Sequence, residues 1–276
     1  MYSKENVLKA NIEVHSRLVD VYKDEPHFRP ENVDRVKKIL KSLKDHKDGR
    51  SLLDVGCGTG FIIDIAKEYF PVIRGVDITP AMLGKVNTDC VDCDIQLQVA
   101  DSAELPFADN TFDVCTCHAV LHHLHDISPT IKEIYRVLKP GGIFYSDLDP
   151  NYYFWEEIAK LSPDVQYSSI VEREIKAVLS KGEEIEAEYH VQKELLWAAE
   201  PLKHKGGGFK EEDMRSCCAE AGFTSVEIKR EWFLGEGRIV NDEKTKDSAE
   251  IVRNLLHEML PLSRHLFKYI GIVAVK

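Results

Sequence analysis

The chain has 276 residues, 43% of them hydrophobic, enough for one large core, and nothing resembling a disordered linker divides it into halves. Its 36 basic and 47 acidic residues leave a net charge of −11, which argues against a nucleic-acid partner, since such binding rests on Lys and Arg neutralising phosphates. No apolar stretch reaches the ~18 residues of a membrane span, and the opening residues Met1–Asn6 lack a signal-peptide apolar run, so no membrane span and a cytoplasmic location are expected.

The first segment has helical spacing, with Val7, Val14, Leu18 and Val21 on one face, until Pro26 and Pro30 interrupt it. A second helix has Pro30 in its first turn and Val33, Val36, Leu40 and Leu43 as its apolar stripe. Its basic residues, Arg35 to Lys44, read as a solvated face. From Ser51 strands and helices alternate. Strands are expected at 51–55, 72–77, 95–99, 112–117 and 143–146, with helices opening near Phe61, at Thr79-Pro80 and at Ser128-Pro129. Such units argue for a parallel sheet covered on both faces.

Residues 151–208 break the rhythm and read as helices, with Phe154/Ile158/Leu161, Val171/Ile175/Val178 and Ile185/Tyr189 as apolar stripes. A helix near 210–221 closed by Gly222, a strand at 224–233, a helix at 248–260 and a last strand at 269–275 follow. The expected organisation is a helical cap (1–48), an α/β core (49–150), a helical lid insert (151–208) and the rest of the core (209–276), with a helical insertion near 236–266. The seven cysteines fall largely in apolar segments and read as buried thiols in a reducing compartment.

The chemistry starts at Gly56-Cys57-Gly58-Thr59-Gly60, between a strand and a helix start, where backbone N–H groups can approach a ligand closely. Asp77 ends the next strand and can accept hydrogen bonds from two ribose hydroxyls. Asp101, beside Ser102, follows the third strand, where a carboxylate can accept from an adenine amine. All three positions lie at carboxyl ends of adjacent strands, so together they imply an adenosine-containing ligand. A dinucleotide would want glycine where Phe61 stands, which disfavours a nucleotide-dependent oxidoreductase.

The segment Leu52–Gly60 resembles the first motif of class I S-adenosylmethionine-dependent methyltransferases. Gly75–Leu83, Asp101–Phe107, Phe112-Asp113-Val114 and Arg136–Gly142 resemble that family's later motifs in order, in the style of its ubiquinone/menaquinone-biosynthesis branch of small-molecule enzymes. The resemblance implies a Rossmann-like, seven-stranded, mostly parallel sheet with helices on both faces and an antiparallel last strand. It implies S-adenosylmethionine as cofactor, S-adenosylhomocysteine as product and a small-molecule acceptor. It also implies that the Gly56, Cys57, Gly58 and Gly60 loop meets the methionine part, with Asp54 orienting the loop and the donor's amino group, that Asp77 holds the ribose and Asp101 and Ser102 the adenine, that Ile78 and Met82 also bind the cofactor, and that His118 lines the donor on its acceptor side.

Among His118, His122, His123 and His125, His122 matches in position the base of related O-methyltransferases and is the candidate catalytic residue. Tyr152 and Trp155, in the aromatic run after the fifth strand, and Tyr22 with His27, Phe28 and Arg29 are candidates for the acceptor's walls. Cys115, Cys117, His118 and His122 form no recognisable metal-site spacing, so no metal is expected. Asp149-Pro150-Asn151-Tyr152 resembles the motif of base-modifying methyltransferases but follows the wrong strand. The alternative to an enzyme is a non-catalytic donor-binding or scaffold protein on the same fold.

Overall fold

The computed structural model describes residues 2–22, 28–47, 49–162, 164–180, 186–188 and 190–276. Ser3 caps the first helix, α1 (Lys4–Leu18), its hydroxyl accepting from the Asn6 N–H at 3.2 Å. The buried side of α1 is Val7, Ala10, Asn11 and Val14, whereas Val21 lies in the turn beyond it. Helix α2 (Pro30–Lys47) buries Val36, Leu40 and Leu43 of its predicted stripe and half-buries Val33, while Arg35 leaves the solvated face expected of the basic run and turns inward to Asp147. Pro26, His27, Ile185 and Tyr189 lie outside the described residues.

Strand β1 (Ser51–Val55) is buried along its whole length and runs into α3 (Phe61–Ala66). Then come β2 (Val72–Asp77), α4 (Pro80–Leu83), β3 (Asp94–Val99), β4 (Phe112–His118), α5 (Ser128–Val137) and β5 (Leu138–Pro150). The insert contributes α6 (Tyr152–Ala159), α7 (Ser169–Ile175) with a π-helical continuation to Ser180, α8 (Lys193–Ala199) and α9 (Pro201–His204). Helix α10 (Glu211–Ala221), β6 (Ser225–Phe233), α11 (Glu236–Val240), α12 (Ser248–Glu258) and β7 (Phe267–Val275) complete the chain.

The sheet order is β3-β2-β1-β4-β5-β7-β6. Strands β1 to β5 pair in parallel, and β7 is antiparallel to both of its neighbours, as expected. Side-chain alternation divides the core in two. Leu52 and Val114, register partners, face α2 and α3, while Leu53 and Cys115, the next pair, face α5 and α10. A third cluster joins Ala10 and Val14 of α1 to Leu196, Ala198 and Ala199 of α8. The strand order reverses between β1 and β4, and the crevice beyond their carboxyl ends is where open α/β sheets take ligands.

Some expectations need correcting. Strand β5 starts at Leu138 and continues to Pro150, well beyond 143–146, because β4 pairs with it at Phe112↔Leu138 and β7 as far as Pro150↔Tyr269. The stripe expected at Val171/Ile175/Val178 is only half-buried; the buried residue of α7 is Glu174, which meets Lys268 of β7 at 2.5 Å. Cys90 and Cys93 are not buried thiols but a disulfide, formed in a loop that brings their Cα atoms to 5.5 Å. Cys57, Cys115, Cys117 and Cys218 are buried and free, and Cys217 is half-buried and free. Among the described residues no helix is long and apolar enough to cross a membrane.

The β5–β7 pairing is tight enough to test. A Cβ on Gly271 would lie 2.2 Å from the Ser146 carbonyl oxygen, a backbone atom that cannot turn aside. Gly271→Ala should destabilise the fold by roughly 2–4 kcal/mol, read as a shift in the urea midpoint, whereas Gly237→Ala, with nothing within 4 Å, should change it by less than about 0.5 kcal/mol.

Candidate active site

At the carboxyl ends of β1, β2 and β4 lies a cavity of about 230 Å³, with α1 as its roof. The Gly56–Gly60 loop reaches it because two of its glycines do what other residues cannot. Gly56 has φ +72°, and a Cβ there would press to 2.6 Å from Val120 Cγ2. Gly58 has φ +52°, and a Cβ there would enter open space, with Tyr22 Cε1 nearest at 3.8 Å. The loop is held by hydrogen bonds from the Gly56 and Cys57 N–H groups to the Val76 carbonyl, at 2.8 and 3.0 Å.

Asp77 accepts from the Gly58 N–H at 2.9 Å with one oxygen and from the Thr79 N–H at 2.8 Å with the other. Each oxygen keeps a further lone pair toward the cavity that the residue lines. Asp101 accepts from the Ala103 N–H at 2.9 Å and pairs with Lys4 of α1 at 2.8 Å. Ser102 Oγ lies 2.8 Å from Thr130 Oγ1. Gly56, Gly58, Asp77, Ile78, Met82, Asp101, Ser102 and His118 all line the one cavity. Asp54, Cys57 and Gly60 stand behind its wall and shape the loop.

Two buried charge systems flank the cavity. Asp54 receives the Thr116 hydroxyl at 2.8 Å, and burial, reinforced by Asp77, pushes its carboxyl up to about 7. On the other side His118 stacks on Phe61 at 4.9 Å, with Nδ1 3.8 Å from Asp147. Asp147 also binds Arg35 and accepts from Tyr145 Oη at 2.6 Å. Burial works to raise Asp147, but Arg35 and His118 overcome it and hold the carboxyl below its usual range. Glu231, 3.5 Å from Arg35, is pushed up to about 7 by burial and by Asp147.

The histidines separate. His122 is buried behind the cavity wall, its backbone N–H and Nδ1 both on Asp149 Oδ1 at 3.1 and 2.9 Å. His123 lines the cavity, edge-on to His15 at 4.9 Å, with Nδ1 3.1 Å from the Ala199 carbonyl. Burial lowers both imidazoles, His123 to about 3. Glu200 follows α8 and meets Lys203 at 2.5 Å and His204 at 2.9 Å. Burial would raise its carboxyl, yet these two partners hold it well below the usual range.

Of the expected acceptor residues that are described, Tyr22 lines the cavity, and Phe28, Arg29, Tyr152 and Trp155 do not. Arg29 is exposed; Tyr152 lies under Lys210 at 4.5 Å; Trp155 packs against His204 at 6.3 Å. The aromatic run turns away because α6 packs on the insert, and α1 occupies the place expected for a lid. Lys4, Val7, Leu8, Asn11 and His15 of α1 are wall residues that the sequence reading missed. The signal available was Asn11, a polar residue inside an apolar stripe; it donates to the carbonyls of Val7 and His123, both at 3.0 Å.

Residues 53–146 match the family model described as a methyltransferase domain. A demethylmenaquinone methyltransferase of Lactobacillus johnsonii is 39% identical over 113 residues, covering 38% of this chain and 46% of that protein, so the chain spans under half the length of such curated relatives. An S-adenosylmethionine-dependent methyltransferase structure from Mesorhizobium loti aligns over 83% of this chain and 91% of its own, with TM-score 0.51 and 18% identity. One from Archaeoglobus fulgidus aligns over 88% and 94%, with TM-score 0.51 and 17% identity. At such identities the structures establish the fold. The chain thus sets a segment that matches a methyltransferase domain, residues 53–146, on a Rossmann-like sheet. A domain of that kind implies S-adenosylmethionine as the cofactor. The residues fit that group: an open glycine cradle, two anchored carboxylates with lone pairs to spare and an apolar wall.

Two outcomes follow for the cofactor. Asp77→Ala should weaken S-adenosylhomocysteine binding by at least about 100-fold in calorimetry, the scale of losing two charge-assisted hydrogen bonds. Asp54 sets a pH dependence. Its folded carboxyl keeps a proton to about 7, against 3.8 ordinarily, so without ligand its contribution to stability falls as pH rises through that window. A cationic donor favours the ionised form, so S-adenosylmethionine affinity should rise with pH, by up to about tenfold per unit below pH 7, and then level off. Asp54→Asn should flatten the profile.

Proposed function

We propose that the protein transfers a methyl group from S-adenosylmethionine to a small-molecule acceptor seated beneath α1. The observation that carries this reading is one cavity in which the glycine loop, Asp77, Asp101 and Ser102 face the apolar and histidine-bearing side of α1. When bound, the cofactor supplies a methyl group activated by its sulfonium. The loop, braced from behind by Asp54, holds the methionine part, Asp77 the ribose, Asp101 and Ser102 the adenine, and Ile78 and Met82 supply apolar contact. His118, fixed between Phe61 and Asp147, sets the boundary toward the acceptor. Positioning for in-line attack supplies most of the rate, and α1 excludes water from the reacting atoms.

The acceptor side is walled by Val7, Leu8, His15, Tyr22 and His123, a surface suited to a planar ring. With the demethylmenaquinone methyltransferase relatives, that wall makes a quinone-type ring the first acceptor to try. His122 stands behind the wall, so in this reading it braces the 121–125 turn through Asp149, and His123 is the imidazole turned to the acceptor. A base must lie within hydrogen-bond reach of the proton it takes.

The test is product formation from S-adenosylmethionine across quinol, phenol and amine acceptors, followed as S-adenosylhomocysteine release. Turnover with a reduced quinone-type ring is expected. His123→Gln should lower kcat/KM by about 10²-fold with donor affinity unchanged, and His122→Gln should cost less. Donor binding with no turnover on any acceptor would instead establish a non-catalytic donor-binding protein.

A further inference from the structure

Beyond the cofactor site, the junction between the core and the insert gathers His122, His123 and Glu200. One ring nitrogen from each imidazole and one carboxylate oxygen lie within 4.8 Å of one another, the one such group of His, Cys, Asp or Glu among the described residues. We propose that these three side chains form a mononuclear site for a divalent first-row transition ion of the zinc kind, on the histidine side of the cavity. The inference does not require the methyl-transfer reading, but the two uses of His123 Nε2 exclude each other: with an ion bound, that nitrogen is a ligand and takes no proton.

The surrounding hydrogen bonds carry the argument. Metal-binding imidazoles almost always give their second nitrogen to a carboxylate or backbone carbonyl, which fixes the ring and leaves the other nitrogen for the ion. Both histidines have that arrangement. His122 Nδ1 is on Asp149 Oδ1 at 2.9 Å, and His123 Nδ1 is on the Ala199 carbonyl at 3.1 Å. Each ring therefore has Nε2 left as its donor atom. Asp149 is itself fully buried, and its Oδ2 has no hydrogen-bond partner. A carboxylate there serves no surface role but fits the carboxylate–histidine–metal relay.

Two nitrogens and one carboxylate oxygen are the donor set of open zinc sites, with metal distances of about 2.0–2.2 Å. Filling the site draws the donor atoms to roughly 3.3 Å from one another. Lys203 stands against the carboxylate, its ammonium 2.5 Å from Glu200 Oε2, with His204 Nε2 2.9 Å from the same oxygen. An incoming ion displaces Lys203, whose ammonium already lies 5.9 Å from the Trp155 ring. Because His123 is also a cavity wall residue, the proposed site borders the cavity.

The experiment uses the full chain, chelator-treated with the Cys90–Cys93 disulfide kept oxidised, and titrates it with cobalt(II) and then zinc. Expected are saturation at about one ion per chain, the visible absorption of four-coordinate cobalt without a thiolate band, and its displacement by zinc. Glu200→Gln should abolish stoichiometric binding, Asp149→Asn should weaken it by about 10–100-fold, and Lys203→Met should strengthen it. Circular dichroism confirms that each variant is folded. No saturable binding by the unaltered chain overturns the proposal, as does binding unchanged in a folded Glu200→Gln protein.

Discussion

Asp77 binds two loops at once, one carboxylate oxygen on the Gly58 N–H and the other on the Thr79 N–H. Those loops leave different strands, and their relative height is set by the parallel register of β1 on β2, which runs to Val55↔Val76. Val76 contributes from the same strand end, its carbonyl taking the N–H groups of Gly56 and Cys57. The cofactor cradle is thus suspended from the last two residues of β2. A carboxylate doing this work cannot be replaced by an amide without turning one acceptor into a donor, so charge and geometry are fixed together.

The part of the site lying within single strand–loop–helix units was legible in the sequence. Gly56, Gly58, Asp77, Asp101, Ser102 and His118 each sit at a strand end, and the alternation of strand and helix predicts where those ends meet. What was not legible depends on contacts between distant segments. The apolar stripe of α1 looks the same whether it faces a core or roofs a cavity, so Val7 and His15 gave no hint of their place. The Lys139–Gly142 turn signal did not end the strand: β4 pairs with it at Phe112↔Leu138, and β7, a strand more than a hundred residues later, extends it at the other end to Pro150. The meeting of Arg35, Asp147 and Glu231 has no local signature in any of the three segments that supply them.

That charged cluster joins α2, β5 and β6 behind His118. One guanidinium faces two carboxylates in a dry site, and the arrangement resolves itself by keeping Asp147 charged and letting Glu231 hold a proton to about 7. A buried ion pair of this kind contributes little net stability against a hydrophobic alternative, but removing one partner strands the other. Its effect is positional: Asp147, also held by Tyr145 and the Leu148 N–H, fixes what stands behind the imidazole at the cavity wall.

Helix α1 belongs to two structures at once. One flank closes the cavity through Lys4 and Asn11, and the other shares a small core with α8. Anything that binds under α1 therefore does mechanical work on the insert, although the insert's own α6, α7 and α8 stay outside the cavity wall. Linkage makes any coupling between the two reciprocal: a ligand that needs α1 in place raises the cost of opening α8 by the same free energy that loosening α8 takes from its affinity. Residues far from the chemistry, such as Leu196 and Ala199, can thereby tune how long a ligand stays without ever touching it.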